Sequence, residues 1–294
     1  MSISNNGKNL SGKTIVVTGA TSGIGLAAVQ KLVEAGAFVI GVGRSIERNE
    51  SARKSVLALH PKGKVRYLLA DLASIPQIQS LCREIVQSIR DESKNHIDVL
   101  INNAGVYLEK QQKTEEGIEK TFAVNHLAPF LLTYNLLPML QNAKRGRVLV
   151  VSSYSHYTTP LCLQRIANPY PYLGLLAYKR SKLCNVLFIY ELNRRFAPLQ
   201  GFAVDPGLVN TSIASKGSQG ISHWIWRNKR KKGTSPAVPV KTIQYLCSTK
   251  VIDGEKGVYF KNSVPKRPSR NAQRVDLAKD LWDISCQLTG IDWK

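Results

Sequence analysis

Tyr178 is followed four residues later by Lys182, in the run Ala177-Tyr178-Lys179-Arg180-Ser181-Lys182. On a helix, positions i and i+4 share one face, so this spacing can point a phenol and an ammonium into one pocket. A free phenol titrates near about 10 and is a poor base at neutral pH. A fixed neighbouring cation favours the phenolate, so the pair is expected to bring Tyr178 towards a working range for proton transfer. The same spacing also arises by chance, as an exposed Lys one turn after a packed Tyr. What gives it meaning is the rest of the chain.

A second chemistry-bearing run is Thr18-Gly19-Ala20-Thr21-Ser22-Gly23-Ile24-Gly25, which closes an apolar stretch and opens a helical one. Glycines at such a turn let the backbone approach a pyrophosphate, and the helix N-terminus supplies N–H donors and the positive end of a dipole. The spacing is T-G-x-x-x-G-x-G and not the literal G-x-G-x-x-G. Gly19, Thr21, Ser22, Gly23, Ile24 and Gly25 are therefore candidate cofactor contacts. Further on, Val39-Ile40-Gly41-Val42-Gly43-Arg44-Ser45 places Gly where NAD-preferring sites carry an acid for the ribose hydroxyls, with Arg44 next. An Arg there can pair with a 2′-phosphate, which favours NADP(H) and leaves NAD(H) open.

These residues need a scaffold, and the hydropathy pattern supplies one. Short apolar β-type runs cover Thr14 to Thr18, Phe38 to Val42, Val65 to Leu69, Val99 to Asn102, Arg147 to Ser152 and Phe202 to Val204. Helical patterns separate them: Gly23 to Ala35, a stretch ending at Leu59, Ile75 to Ile89, Asn125 to Gln141 and Ala177 to Phe196. The fourth of these is expected to be interrupted near Pro129 and Pro138. Continuously apolar strands alternating with helices imply an α/β fold, a doubly wound parallel sheet of Rossmann type with its ligand crevice at the strand carboxyl ends. Residues 1–11 read as a loose leader and 12–294 as a single domain. The stretch 212–234 breaks the alternation and is the expected lid.

Composition narrows the function classes. An apolar fraction of 43% is ample for a core. No run of about eighteen apolar residues occurs, nor the apolar core of a signal peptide. The expectation is thus a cytoplasmic protein, at most peripheral at a membrane surface. Five scattered cysteines without a C-x-x-C pair argue for a reducing compartment, and the His residues show no metal-ligand spacing, so no metal site is expected. The 41 basic against 20 acidic side chains give a net charge of +21, a field that attracts anionic cofactors, nucleic acids or acidic lipid. No nucleic-acid motif accompanies that charge, which argues against nucleic acid as the primary partner.

Taken together, the chain resembles the classical short-chain dehydrogenase/reductase family. The resemblance rests on the Gly19/Gly23/Gly25 turn, Asp71-Leu72, Asn102-Asn103-Ala104-Gly105, Asn125, Ser153, Tyr178/Lys182 and Pro206-Gly207, all in the family's order and spacing. Finer features are similar to its retinol-dehydrogenase-like branch: Val124-Asn125-His126-Leu127, Tyr178-Lys179-Arg180-Ser181-Lys182-Leu183, Val204-Asp205-Pro206-Gly207-Leu208-Val209-Asn210-Thr211, and the tail from Leu281-Trp282 to Leu288-Thr289-Gly290. Asp205 stands where many relatives carry His. The segment between Phe196 and Val204 is slightly short, which leaves the start of the sixth strand open.

The resemblance implies an oxidoreductase in which Tyr178 is the general acid/base and Lys182 lowers its pKa and binds the nicotinamide ribose. It implies further that Ser153 holds the substrate oxygen and that Asn125 holds a water linking Lys182 to solvent. Asp71 and Leu72 would meet the adenine, Asn103 the adenosine ribose, and Val209 and Thr211 the nicotinamide amide, beside Pro206 and Gly207. A homo-oligomer is compatible with the pattern. A non-catalytic cofactor-binding regulator is the competing class, and the complete Ser153, Tyr178 and Lys182 set argues against it.

Between Ser153 and Tyr178 lie Tyr154, Tyr157, Leu161, Leu163, Tyr170, Tyr172, Leu173, Leu175 and Leu176. Their lining suits a lipophilic alcohol or carbonyl compound, retinoid-, steroid- or isoprenoid-like, unless they only pack the segment onto the domain; a small soluble carbonyl is the other substrate class. Within the expected lid, Trp224 and Trp226 stand beside Arg227, Lys229, Arg230, Lys231 and Lys232. That combination suits either contact with anionic membrane or a solvated lid.

Overall fold

The β-type runs assemble side by side into one eight-stranded sheet. The computed structural model describes residues 9–209, 233–249 and 257–293. The strands are β1 (Thr14–Thr18), β2 (Phe38–Gly43), β3 (Val65–Leu69), β4 (Val99–Asn102), β5 (Arg147–Val151), β6 (Gln200–Val204), β7 (Tyr259–Lys261) and β8 (Val264–Pro265). Their order is β3-β2-β1-β4-β5-β6-β7-β8, parallel throughout except for the last pair. Strand order reverses between β1 and β4, which opens a crevice at their carboxyl ends.

Alternation along each strand feeds two cores. Val16 and Leu100 face one side of the sheet, while Ile15, Val17, Val99 and Ile101 face the other. Helices α1 (Gly23–Glu34), α2 (Ile46–Leu59) and α3 (Ile75–Arg90) follow the first three strands. The one-turn α4 (Lys120–Phe122) leads through a π-helical turn, Ala123–Leu127, into α5 (Ala128–Gln141). α6 (Gly174–Arg195), α7 (Ala237–Ser248) and α8 (Val275–Thr289) complete the described helices. Among the described residues, no helix is long and apolar enough to cross a membrane.

Three expected boundaries move. The interruption expected at Pro129 and Pro138 lies earlier, in the π-helical turn around Asn125. Pro129 follows that turn directly, as the second residue of α5. α6 starts one turn before Ala177, because Gly174 lets the chain pass where a Cβ would fall 2.2 Å from the Leu108 carbonyl oxygen. The sixth strand begins at Gln200 instead of Phe202.

α7, α8, β7 and β8 extend the architecture beyond the sixth strand. α8 packs on α6 through Trp282, whose indole stacks on Phe188 at 5.9 Å and donates to the Trp293 carbonyl at 2.8 Å. Of the expected lid, residues 212–232 lie outside the described residues, as does Thr211. Thr234 is described, and its amide donates to the Leu208 carbonyl at 2.8 Å.

Candidate active site

At the β1 end of the crevice the chain is shaped by missing side chains. Gly19 has φ +65°, and a Cβ there would fall 2.9 Å from Cα of Ala104. At Gly25 a Cβ would lie 2.1 Å from the Gly19 carbonyl oxygen, so the first turn of α1 can fold under the loop only as glycine. The Thr18 hydroxyl accepts from the amides of Asn103 and Ala104, each at 3.0 Å, and Asn103 Nδ2 donates to the Thr18 carbonyl at 2.8 Å. Asn103 thereby locks the turn, whatever else it contacts. Ser22 caps α1 without a side-chain bond. The first-turn N–H groups of an α-helix have no intrahelical partners, so those of α1 suit an anionic ligand.

The end of β2 explains the absent acid. A Cβ at Gly43 would fall 2.1 Å from Asn49 Oδ1 and 2.6 Å from Thr21 Cγ2. Asn49 is buried and held by a 3.0 Å bond from its Nδ2 to the Leu68 carbonyl, so no carboxylate side chain fits there without displacing it. Arg44 is exposed and lines the cleft at this point, as does Arg48. The Ser45 hydroxyl caps α2 by accepting from the Arg48 amide at 3.3 Å, which brings Arg48 to the same rim as Arg44. Arg48 was not among the expected contacts, although its spacing from Arg44 across the Ser45 N-cap was a usable signal. Asp71 and Leu72 also line the cleft, with Asp71 Oδ1 accepting from the Ala73 amide at 3.0 Å.

The catalytic candidates meet on the β5 side. One cleft of about 880 Å³ is lined by Gly19, Thr21, Ser22, Gly23, Ile24, Arg44, Asn103, Ser153, Tyr178, Lys182, Pro206, Gly207 and Val209. Gly25 packs beneath that wall and Asn125 lies behind it. Asn125 is fully buried: its Oδ1 accepts from the Val106 amide at 2.7 Å, and its Nδ2 donates to the Val106 carbonyl at 3.0 Å and to Ser181 Oγ at 2.9 Å. It ties the segment after β4 to α6.

The electrostatics depart from the simple expectation for Tyr178. Burial pushes its phenol up to about 12; a hydrogen bond from Ser153 opposes the shift, and the charge of Asp205 adds to it. Burial pushes Lys182 down to about 8. The Lys182 ammonium donates to the Val151 carbonyl at 2.8 Å and lies 5.6 Å from the centre of the Tyr178 ring. Desolvation thus outweighs the lysine's attraction in the protein alone, and the expected lowering of the phenol is not produced by the chain's own groups. With burial moving the two groups in opposite directions, the proton resides on the phenol at neutral pH.

The substrate end draws on fewer residues of the 154–176 segment than expected, and on others besides. Tyr154 and Leu175 line the cleft, joined by Val106, Tyr107, Leu108 and Leu208 from other loops. Leu163 is core, Leu161 packs against that core, and Tyr172 donates to the Leu108 carbonyl at 2.9 Å. Tyr170 and Leu173 are exposed. Behind Ser153, the turn Tyr154–Thr158 is tied to the C-terminal segment. His156 Nδ1 lies 2.7 Å from the Ser153 carbonyl and His156 Nε2 accepts from the Ser269 amide at 3.1 Å, while the Tyr157 hydroxyl donates to the Arg267 carbonyl. Those bonds require a neutral ring protonated on Nδ1, and burial holds the His156 pKa below its usual value. Among the described residues, no group of three or more His, Cys, Asp or Glu could hold a metal ion.

Comparison with known proteins agrees with this geometry. Residues 13–221 match the short chain dehydrogenase family. Retinol dehydrogenase 11 of Mus musculus is 31% identical over 97% of this chain and 89% of its own length. The polyprenol dehydrogenase of Homo sapiens is 32% identical over 95% of this chain and 86% of its own. A crystal structure of a putative uncharacterized protein from Mycobacterium paratuberculosis superposes with a TM-score of 0.73 at 28% identity, over 97% of this chain and 96% of that one. The chain belongs to the short-chain dehydrogenase/reductase family and is an NAD(P)-dependent oxidoreductase. Within that family it falls in the retinol-dehydrogenase-like branch.

Proposed function

We propose that the protein transfers a hydride between NADP(H) and a lipophilic alcohol/carbonyl pair, with Tyr178 exchanging the proton. The observation that carries this reading is the shared cleft, in which Ser153 hydrogen-bonds Tyr178 beside Lys182 and opposite the glycine cradle. When bound, the nicotinamide cofactor supplies or accepts the hydride. The chain supplies the rest. As a carbonyl is reduced, negative charge grows on its oxygen; the Ser153 hydroxyl would donate to that oxygen and the Tyr178 hydroxyl would deliver its proton to it. Oxidation of an alcohol reverses the proton's path. Lys182, with one N–H on Val151, keeps donors for a ribose, and its charge would favour the phenolate left behind.

Preference for NADP(H) rests on Arg44 and Arg48 at a rim where Gly43 excludes an acid. The adenosine end would be held by Asp71, Leu72 and Asn103, the nicotinamide end by Pro206, Gly207, Val209 and Thr211. The lipophilic substrate class rests on the apolar wall of Tyr107, Leu108, Tyr154, Leu175 and Leu208, and on retinol and polyprenol in the relatives' names. Purified protein, assayed with both cofactors against retinoid, steroid, isoprenoid and small soluble carbonyl compounds, tests it. Turnover confined to small soluble carbonyls would overturn the substrate class, and cofactor binding without turnover of any compound would indicate a regulator.

A further inference from the structure

Ser153 follows β5 as the N-cap of the turn Tyr154–Thr158, and donors from within that turn hold it on both sides. Its hydroxyl oxygen accepts from the Ser155 amide at 3.2 Å, which leaves the hydroxyl's own hydrogen to point into the cleft. Its carbonyl accepts twice, from the His156 amide at 3.3 Å and from His156 Nδ1 at 2.7 Å. The ring also reaches the other way, where Nε2 accepts from the Ser269 amide at 3.1 Å. His156 is buried, with ring centres 4.2 Å from Tyr157 and 4.8 Å from Tyr259. Ser153, Tyr154, Ser155 and Thr158 line the cleft, whereas the imidazole sits behind that wall. Beyond the ring, the segment 266–271 is itself anchored. The Lys266 amide donates to the Tyr259 carbonyl at 2.7 Å, and Asn271 Nδ2 donates to the Thr159 carbonyl at 3.2 Å.

We propose that His156 is a positioning residue that fixes the aim of the Ser153 hydroxyl, with the 266–271 segment as its support. The inference rests on Ser153 holding the substrate oxygen. A serine hydroxyl can turn about χ1 and can also move with its own peptide plane. The Ser155 amide restrains the first freedom and the His156 ring the second. The backbone bond to the same carbonyl, at 3.3 Å, is long for an N–H···O contact, so the imidazole is the firmer of the two holds. Because Nε2 is occupied by Ser269, the ring cannot swing away without losing a second bond. A donor aimed at a developing negative charge is effective when its place is set before the reaction, and a small displacement is costly.

Two isosteres divide the ring's two bonds. Asn at this position carries an amide where Nδ1 stands, so His156→Asn can keep the donor to Ser153 and loses the tether to Ser269. Gln carries its amide where Nε2 stands, so His156→Gln keeps the tether and loses the donor. The readouts are kcat and KM for reduction of retinal by NADPH, with benzaldehyde in parallel, beside the midpoint of chemical denaturation. His156→Gln should lower kcat by roughly ten- to a hundredfold with KM and the denaturation midpoint close to wild type. His156→Asn should keep kcat within a few-fold and show the lower midpoint. Activity and stability would then fall in opposite orders, which a merely structural ring would not produce. In a Ser153→Ala background, itself lower by about 10²- to 10³-fold, His156→Gln should cost little more. If one variant fails to fold, the other still decides: a folded His156→Gln with wild-type kcat, or a folded His156→Asn with kcat lowered tenfold or more, would overturn the proposal. So would a raised KM at unchanged kcat, which would make the ring a support of the substrate wall. Independently of any substrate, a crystal structure of His156→Gln with the Ser153 hydroxyl unmoved would overturn it too. A Ser153→Ala enzyme that keeps its turnover would remove the underlying reading, whereas an inactive one beside a fully active His156→Gln would remove only the role of His156.

Discussion

At the β1–β2 end of the cleft, shape comes from backbone and from atoms that are not there: Gly19, Gly25 and Gly43 leave room that a Cβ would fill. At the β5–β7 end, shape comes from side chains that reach across the sequence. His156 to Ser269, Tyr157 to Arg267 and Asn271 to Thr159 join residues 113, 110 and 112 positions apart. The first region can take one kind of ligand, because its geometry has little freedom to vary. The second can be adjusted by exchanging a tether or a lining residue without disturbing the sheet. The β1–β2 end is thus fixed by construction, and the β5–β7 end is where the lining can be exchanged.

The largest effect should come from the reacting group itself. Tyr178→Phe removes the proton carrier and leaves the cradle untouched, so turnover should fall by roughly 10²- to 10⁴-fold while NADP(H) affinity stays near wild type. Steady-state rates beside a fluorescence titration of NADPH would show both. A parallel loss of affinity would mean that the two ends are not separable.

Acid should loosen the catalytic end first, because its supports include two buried imidazoles. His126 sits in the π-helical turn with Asn125, stacked on Phe122 at 5.1 Å, and burial pushes its pKa down to about 3. His156 is lowered for the same reason. Both rings are neutral when folded and would take up a proton near about 6.5 once unfolded. Their stability contribution is therefore complete above that pH and is lost as pH falls, by about 1.4 kcal/mol per unit for His126 and in the same sense for His156. Denaturant titrations between pH 7 and pH 4 should show this slope, and His126→Phe should flatten it. Hydrogen exchange should rise at Ser269 before it rises at Thr18 to Gly25.

Cofactor choice tests the other end. Arg44→Ala should weaken NADP(H) binding by about ten- to a hundredfold, the worth of a charge-assisted pair of about 1.5 to 3 kcal/mol, and leave NAD(H) nearly unchanged. Arg48→Ala should act in the same direction, and the two losses should be less than additive if both meet one phosphate. Equal weakening of both cofactors would make the pair ordinary surface charge.

This contrast also explains what could be read in advance. Glycine spacing and apolar runs are local, so β1, β3 and β4 and the residues of the cradle were legible from the chain alone. That Tyr178, Lys182 and Ser153 would share one cleft was legible because their order resembles a family. The direction of the Tyr178 shift was not, since desolvation depends on what surrounds the hydroxyl in space. Nor were the tethers of His156 and Tyr157, whose partners are single backbone groups more than a hundred residues away. Nor was the share of the cleft lining that comes from elsewhere: Tyr107, Leu108 and Leu208 join Tyr154 and Leu175 from loops remote from the segment between Ser153 and Tyr178.

The smallest effect gives the sharpest comparison. Tyr157→Phe deletes one hydroxyl whose acceptor, the carbonyl of exposed Arg267, can take a water instead. Its cost should be about 0.5 to 1 kcal/mol of stability, with NADP(H) affinity unchanged. Thr18→Val also deletes one hydroxyl, but at a fully enclosed site where it accepts from the amides of Asn103 and Ala104. Water has less access to those donors, so this change should cost about 1 to 3 kcal/mol and weaken cofactor binding as the turn relaxes. Chemical denaturation of the two variants side by side would decide it. Equal losses would mean that the tethered end is as rigidly built as the glycine cradle, and that the substrate end is no easier to retune than the cofactor end.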